Sequence, residues 1–261
     1  MYVKYLSLND YRNYSNVKLE FSENFNIIYG KNAQGKTNIL ESIFICASGR
    51  SHRTKRDVDL IRIGRQGYSV NLLVNKKNEE TLIQVSYKKD EKKSVKINEI
   101  PVKKIGNLMG HLNVVMFSPE DLLIIKEGPS ERRRFMDITI SQLRPSYFYD
   151  LQQYAKIISQ RNMLLKEVQN KKSLLDTLEI WDNNIIKTGA RIVWTRRNFI
   201  NKLNIIAEEK HKRITNRTEN LGLKYICSFN IDDCKSLEDV EKSFEKALEK
   251  VHVMELTKCT T

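Results

Sequence analysis

A chain of 261 residues with 40% apolar and 8% aromatic content has room for one large or two ordinary domains and enough hydrophobic material to fill a core. Its formal charge of +13, from 45 basic and 32 acidic side chains, argues for a polyanionic partner and against an acidic one. The four cysteines (Cys46, Cys227, Cys234, Cys259) form no CxxC pair, no run of 18 apolar residues occurs, and the opening MYVKYLSLNDY has no basic-then-apolar leader. Zinc binding, a disulfide framework, a membrane-spanning helix and secretion are therefore disfavoured, and a cytoplasmic location is expected.

In chain order, apolar alternation predicts strands at 3–8 and 17–21, and FNII at 25–28 predicts a third that leads into a glycine-rich turn. After that turn Ile39, Leu40, Ile43 and Phe44 have the spacing of a helix with one buried face. Three alternating runs follow, at 68–74, 83–87 and 95–97, separated by NKKNEE and KKDEKK; they predict an antiparallel meander with one wet, lysine-laced face. HLNVVMF at 111–117 predicts another strand. Ser118, Pro119, Glu120 and Asp121 then carry the signals of a helix start, and Gly128-Pro129 those of its stop.

Beyond Pro145 the pattern becomes helical. Tyr147, Leu151, Tyr154, Ile158, Leu165 and Val168 keep a 4,3 spacing interrupted by Arg161, and Leu178, Trp181, Ile185, Ile192 and Phe199 form a second such run. The short QNKKS connection implies an antiparallel pair, with helices roughly 40 and 55 Å long at about 1.5 Å per residue. YICSFNI predicts a last strand, and Ser236 with Asp239 a capping box for a final amphipathic helix. Two lobes are expected, residues 1–144 and 145–261.

The glycine-rich stretch carries the chemistry. Gly30, Lys31, Asn32, Ala33, Gln34, Gly35, Lys36 and Thr37 satisfy GxxxxGK(S/T), the P-loop. The glycines let backbone amides curl around phosphate, Lys36 supplies a point charge to the β and γ oxygens, and Thr37 can ligate Mg²⁺. A strand before the turn and a helix starting on the phosphates are the context this reading requires.

LSLNDYRNYSNVKLEF before the loop, GKNAQGKTNILESI at it and SPEDLLIIKEGPSERRRFMD near residue 130 together resemble the RecF family of bacterial DNA repair proteins, relatives of the SMC ATPase heads. The resemblance runs in order through nearly all of the chain, and the third block is specific to that family where a P-loop alone is not. It implies an α/β, P-loop ABC-ATPase-like head, with a mixed sheet that includes the antiparallel meander, plus a mainly helical second lobe. It implies ATP and Mg²⁺ as cofactors. It further implies binding of single-stranded, gapped and duplex DNA, an ATP-dependent homodimer, and action with RecO and RecR in RecA loading, recombinational repair and the SOS response. Arg12 and Asn13, in the YRN segment, would sit near the nucleotide. Two positions depart from the pattern: Glu127-Gly128-Pro129 stands where the glycine usually falls one residue earlier, and Ala33 occupies a position that is often glycine.

Hydrolysis in this superfamily needs an apolar strand ending in an Asp that holds Mg²⁺ and a Glu that orients water. No four apolar residues are followed at once by Asp-Glu or Asp-Asp, and no LSxGQ-like signature segment occurs. The nearest approach, VVMFSPED, has Ser118 and Pro119 intervening, and its acids already serve a helix start. No catalytic residue is assigned. By the resemblance, the sequence ends at ELTKCTT before the signature and Walker B segments, as an N-terminal fragment would. Arg132, Arg133 and Arg134 cover about 200° of a helix, so at least one should face solvent or an anion such as DNA phosphate. The competing reading is a small-molecule P-loop kinase, which should show an acceptor-site acid or an arginine lid within a compact α/β core.

Overall fold

A hairpin opens the chain: β1 (Tyr2–Tyr11) runs antiparallel to β2 (Tyr14–Glu20), joined by the dipeptide Arg12-Asn13. The computed structural model describes residues 1–168 and 171–258, so Gln169 and Asn170 of the QNKKS connection, and Cys259, lie outside the described residues. By its internal packing the chain divides into two units, Met1–Pro145 and Ser146–Thr261.

In the first unit β1 pairs next with β3 (Gly67–Lys76), which pairs with β4 (Glu79–Lys88), then β5 (Ser94–Ile97) and β6 (Ile100–Pro101). The described sheet is antiparallel throughout, in the order β2-β1-β3-β4-β5-β6. Register places Leu8, Val70, Val85 and Val95 in one row and Leu6, Leu72, Ile83 and Ile97 in the next, all on the inner face. The intervening positions Ser7, Asn71, Gln84 and Lys96 form the outer, wet face, as the period of two requires. Lys77-Asn78 and Asn98-Glu99 have positive φ at both residues, the geometry of two-residue hairpin turns whose twist matches the strands.

α1 (Lys36–Ser48) lies on the inner face, against β3 and β4 and also against α3 (Pro129–Leu143). It is enclosed on more than one side. The sequence pattern suggested a single buried face through Ile39, Leu40, Ile43 and Phe44, whereas Leu40 is exposed and burial is continuous from Phe44 to Ser48. Ser42 and Ser48 tolerate this because each hydroxyl donates to a carbonyl of its own helix, at 2.7 and 2.8 Å. The short α2 (Leu123–Lys126) follows a 3-10 turn at Pro119–Leu122, and Gly128 with Pro129 separates it from α3.

Two expected strands of this unit join no ladder among the described residues. FNII and HLNVVMF carry no regular secondary structure, His111 and Leu112 lying in a turn and a bend, but their apolar residues divide between two sides, with Ile28, Leu112 and Val114 packed on the core. Phe25, Ile27, Tyr29, Val115 and Phe117 point outward and are exposed. Alternation marks the inward side, but a strand needs a neighbouring strand to pair with.

The second unit is helical: α4 (Pro145–Val168), α5 (Leu175–Ile214) and α6 (Leu237–Lys258). Arg161 bonds Asp182, Arg191 bonds Asp150 and Arg196 bonds the Tyr147 hydroxyl, so partners on α5 rise in number as those on α4 fall, and the two helices are antiparallel. Arg161, the interruption in the spacing of α4, is fully buried and also donates to Glu255 at 2.9 Å. α6 begins on the expected capping box, with the Asp239 amide donating to Ser236 Oγ and the Ser236 amide to Asp239 Oδ2. YICSFNI forms no strand among the described residues and bends at Ser228 and Phe229; Tyr225, Cys227 and Phe229 still pack inward on every second residue.

Gly189 of α5 makes the α6 contact possible. A Cβ there would fall 2.2 Å from Phe244 Cε1 and 3.0 Å from Tyr154, and the Phe244 ring is already stacked on Phe229 at 4.9 Å. Gly189→Ala gains about 1 kcal/mol of helix propensity against an overpacking cost of about 1–3 kcal/mol. The expected net result is a lower melting temperature in a thermal scan; a raised one would show that Phe244 moves aside freely.

Candidate phosphate-binding site

The loop 30–37 is built on backbone angles that few side chains tolerate. Gly30 has φ 146° and Gly35 φ 101°, and between them Ala33 sits at φ 63°, which explains why this position favours glycine. Nothing lies within 4 Å of a Cβ placed at Gly30, whereas one at Gly35 would come 2.6 Å from Asn13 Oδ1 and 2.8 Å from Tyr14 Cζ. Gly35 is thus required both by its angle and by the close approach of the β1–β2 hairpin.

That hairpin clasps the loop. The Gln34 carbonyl accepts from Asn13 Nδ2 at 3.0 Å and from the Tyr14 hydroxyl at 3.3 Å. Asn13 Oδ1 in turn accepts from Asn38 Nδ2 at 2.8 Å, tying the turn to the first turn of α1. Lys36 Nζ folds across the loop and donates to the carbonyls of Gly30 and Lys31, at 2.8 and 2.7 Å. Thr37 is exposed beside it.

Gly35 is the N-cap of α1, and its carbonyl accepts from the amides of Asn38 and Ile39. The amides of Gly35, Lys36 and Thr37 donate to no group among the described residues, and the first turn holds no acidic side chain. Three unmet donors, the positive end of a helix dipole and a primary ammonium therefore converge on one exposed surface. This donor set fits a phosphate chain, and Thr37 Oγ1 is the hydroxyl available for a cation on it.

Arg12 faces away from the loop. Its Nε and Nη2 donate to the two oxygens of Glu41, at 2.9 and 2.7 Å, and its Nη1 donates to the Asp59 carbonyl at 2.8 Å. The resemblance pointed to a place near the nucleotide for Arg12 and Asn13. Asn13 touches the loop directly, while Arg12 reaches the interior through the α1 carboxylate, held there with a positive φ of 53°.

Glu41 was not singled out by sequence reasoning, although a carboxylate inside the apolar run of α1 is a signal in itself. Its side chain has no solvent exposure. Besides Arg12 it accepts from Ser51 Oγ at 2.5 Å, and Arg53 Nη1 lies 3.7 Å away. Burial pushes the Glu41 carboxyl up, but the hydrogen bonds from Arg12 and Ser51 and the charges of Arg12 and Arg53 outweigh it and hold the group below the ordinary carboxylate range.

Asp121, in the SPED segment, accepts from the Ser118 amide at 2.6 Å and so serves as a turn cap. Of the three consecutive arginines, Arg132 caps the carbonyls of Ile124 and Glu127, and Arg134 donates to the carbonyls of Ser51 and His52. Arg133 is exposed and makes no hydrogen bond or ion pair among the described residues.

The fold and site define a P-loop head whose phosphate cradle is clasped by a β-hairpin. The family model described as the RecF/RecN/SMC N terminal domain matches residues 2–220. Among curated relatives, the DNA replication and repair protein RecF of Acetivibrio thermocellus is 52% identical over the whole chain, which spans 71% of that protein. The RecF of Ruminiclostridium cellulolyticum is 50% identical over 96% of the chain and 68% of its own length. A solved structure of the recombination mediator protein RecF with ATP, in the RecFOR pathway, aligns over the whole chain and 69% of its own, with a TM-score of 0.93 and 36% identity. This chain belongs to the RecF family of DNA replication and repair proteins. That assignment displaces the phosphotransferase reading.

The lowered pKa of Glu41 sets a sign for acid stability. A carboxylate whose native value lies below its unfolded value of 4.5 adds stability that is fully present above that pH and is lost as the pH falls through the lowered native value. Unfolding followed by circular dichroism below about pH 4.5 should be steeper for this chain than for Glu41→Gln. Parallel acid curves for the two would contradict the assigned ion pair.

Proposed function

We propose that this chain binds ATP with Mg²⁺ through Gly30, Lys31, Asn32, Ala33, Gln34, Gly35, Lys36 and Thr37. The observation that carries the reading is the convergence of the unmet amides of Gly35, Lys36 and Thr37 with Lys36 Nζ at the start of α1. It is supported by family membership and by the RecF relative solved with ATP. When bound, Mg²⁺ would neutralise phosphate charge, with Thr37 Oγ1 as the protein oxygen placed to hold it. Lys36 would exchange its two carbonyl acceptors for phosphate oxygens, and Asn13 and Tyr14 keep Gln34 and Gly35 in place while that happens.

The role proposed for the nucleotide is that of a switch. ATP would draw two copies together, and the dimer would bind single-stranded, gapped and duplex DNA by charge and shape. It would act in the cytoplasm with RecO and RecR to load RecA in recombinational repair and the SOS response. The +13 charge, the exposed Arg133 and the lysines of the outer sheet face support a polyanionic partner, and no base-reading motif is present in the sequence. No helix among the described residues is long and apolar enough to cross a membrane.

Lys36→Ala removes the one mobile cation of the cradle. Charge-assisted hydrogen bonds of this kind are worth about 1.5–3 kcal/mol, so affinity for a fluorescent ATP analogue should fall about tenfold to a hundredfold. Equal titration curves for the two proteins would sink the ATP reading.

DNA binding should weaken steeply between low and moderate salt and differ little among sequences of equal length and structure, because phosphate contacts dominate. Fluorescence anisotropy across a salt series measures this, and a flat profile would count against a charge-driven interface.

A further inference from the structure

Glu41 is a fully buried carboxylate flanked by more cations than it can neutralise. Arg12 and Arg53 share Glu41, the one buried carboxylate paired with either among the described residues, so these three groups carry one positive charge in excess, and Lys36 adds another cation at the first residue of the same helix. Cations at the positive end of a helix dipole repel it, and such an arrangement is stable only if the carboxylate beneath holds them or an anion joins them.

The two arginines stand in different situations. All three nitrogens of the Arg12 guanidinium are committed, two to Glu41 and one to the Asp59 carbonyl. Arg53 is tethered only at Nη1, which donates to Asn38 Oδ1 at 3.0 Å and lies 3.7 Å from Glu41. Its Nε and Nη2 make no hydrogen bond among the described residues, and the side chain is partly exposed. Asn38 follows Thr37 directly and is bonded to Asn13, so Arg53 is tethered one residue beyond the cradle.

The segment bearing Arg53 is gripped from two sides. Ser51 Oγ donates to Glu41 and accepts from the amides of Arg53 and Thr54, at 2.9 and 3.2 Å. From α3, Arg134 Nη2 donates to the carbonyls of Ser51 and His52, both at 3.3 Å, and the His52 ring packs edge-on against Phe44 of α1 at 5.3 Å.

We propose that Glu41 is a positioning residue of the nucleotide site: by neutralising itself with Arg12 and anchoring Ser51, it holds Arg53 over the first turn of α1 as a second cation for the phosphate chain, with Arg134 bracing the same segment. This rests on the ATP reading above. Glu41 touches no nucleotide; its effect passes through Arg53.

The test uses the 261-residue chain, a fluorescent ATP analogue as probe, and thermal melting without nucleotide. Glu41→Gln should weaken the analogue about tenfold or more, in the range seen when a residue that orients a ligand-binding group is lost. In an Arg53→Ala background the same change should add little, because the group it positions is already gone. Glu41→Gln binding like the parent chain, or the two losses simply adding, would overturn the proposal. If Glu41→Gln does not fold, Asn38→Ala decides: it releases Arg53 without burying an unpaired charge, and unchanged affinity there refutes the positioning of Arg53. Lys36→Ala separates the two readings. If the parent chain binds no better than Lys36→Ala, the ATP reading fails and this proposal falls with it; if only the parent chain and Glu41→Gln bind equally, ATP binding stands and the proposal alone fails.

Discussion

The first unit depends on the burial of one charge. Glu41 lies in a helix otherwise enclosed by apolar side chains, and an ionised carboxylate there is tolerable only if its oxygens are fully matched. The matching groups come from two other places in the chain: Arg12 from the β1–β2 turn, and Ser51 and Arg53 from the segment after α1. Removing one partner of such a pair costs about 3–5 kcal/mol, comparable to much of a domain's net stability. That interaction therefore fixes where the hairpin turn sits. The turn then delivers Asn13 and Tyr14 to the P-loop, at the cost of a left-handed Arg12 worth about 1–3 kcal/mol of local strain. Strain at Arg12 and burial of Glu41 are two halves of one arrangement.

The second unit buries a charge too, with the opposite balance. Arg161 is enclosed between α4, α5 and α6 and meets two carboxylates, Asp182 and Glu255, with His252 3.9 Å from Asp182. Each group there is turned inward and tied to the packing of its own helices. At Glu41 the surplus is positive, and Arg53, which carries it, bonds Asn38 in the first turn of α1, one residue beyond the unmet amides. Burial of an ion pair by itself marks only specific packing; an unbalanced remainder aimed at open donors marks a place for a ligand.

The sequence showed most clearly what is set locally. Gly30, Gly35, Lys36 and Thr37 each answer a local demand, a backbone angle or a charge, and their spacing alone pointed to the candidate cradle. The meander was equally legible, because alternation and turn residues are local. Arg12 and Asn13 were legible only through resemblance: an arginine with positive φ carries no signal of its own. Glu41 was missed: it is a charge among apolar residues, but its partners lie 29 residues before and 10 residues after it, and no periodicity links them. Arg132, Arg133 and Arg134 look identical in sequence and have three different environments, which only packing against the 51–53 segment and the end of α2 could distinguish. FNII, HLNVVMF and YICSFNI illustrate the same limit for strands, since alternation reports facing but not the presence of a neighbour.

These limits meet at the entry to the P-loop. On its exit side the loop is anchored by α1, whose burial, capping by Gly35 and tie to Glu41 leave it little freedom. On its entry side the 25–29 segment has no ladder among the described residues, and Ile28 is its contact with the core. The bonds that close the loop there are those from Lys36 Nζ to the carbonyls of Gly30 and Lys31. An anion that draws Lys36 away removes those bonds. Lys36 is thus both the closure of the loop's entry side and the cation offered to an anion, so closing the loop and holding an anion draw on the same donor, and each changes the free energy of the other by an equal amount.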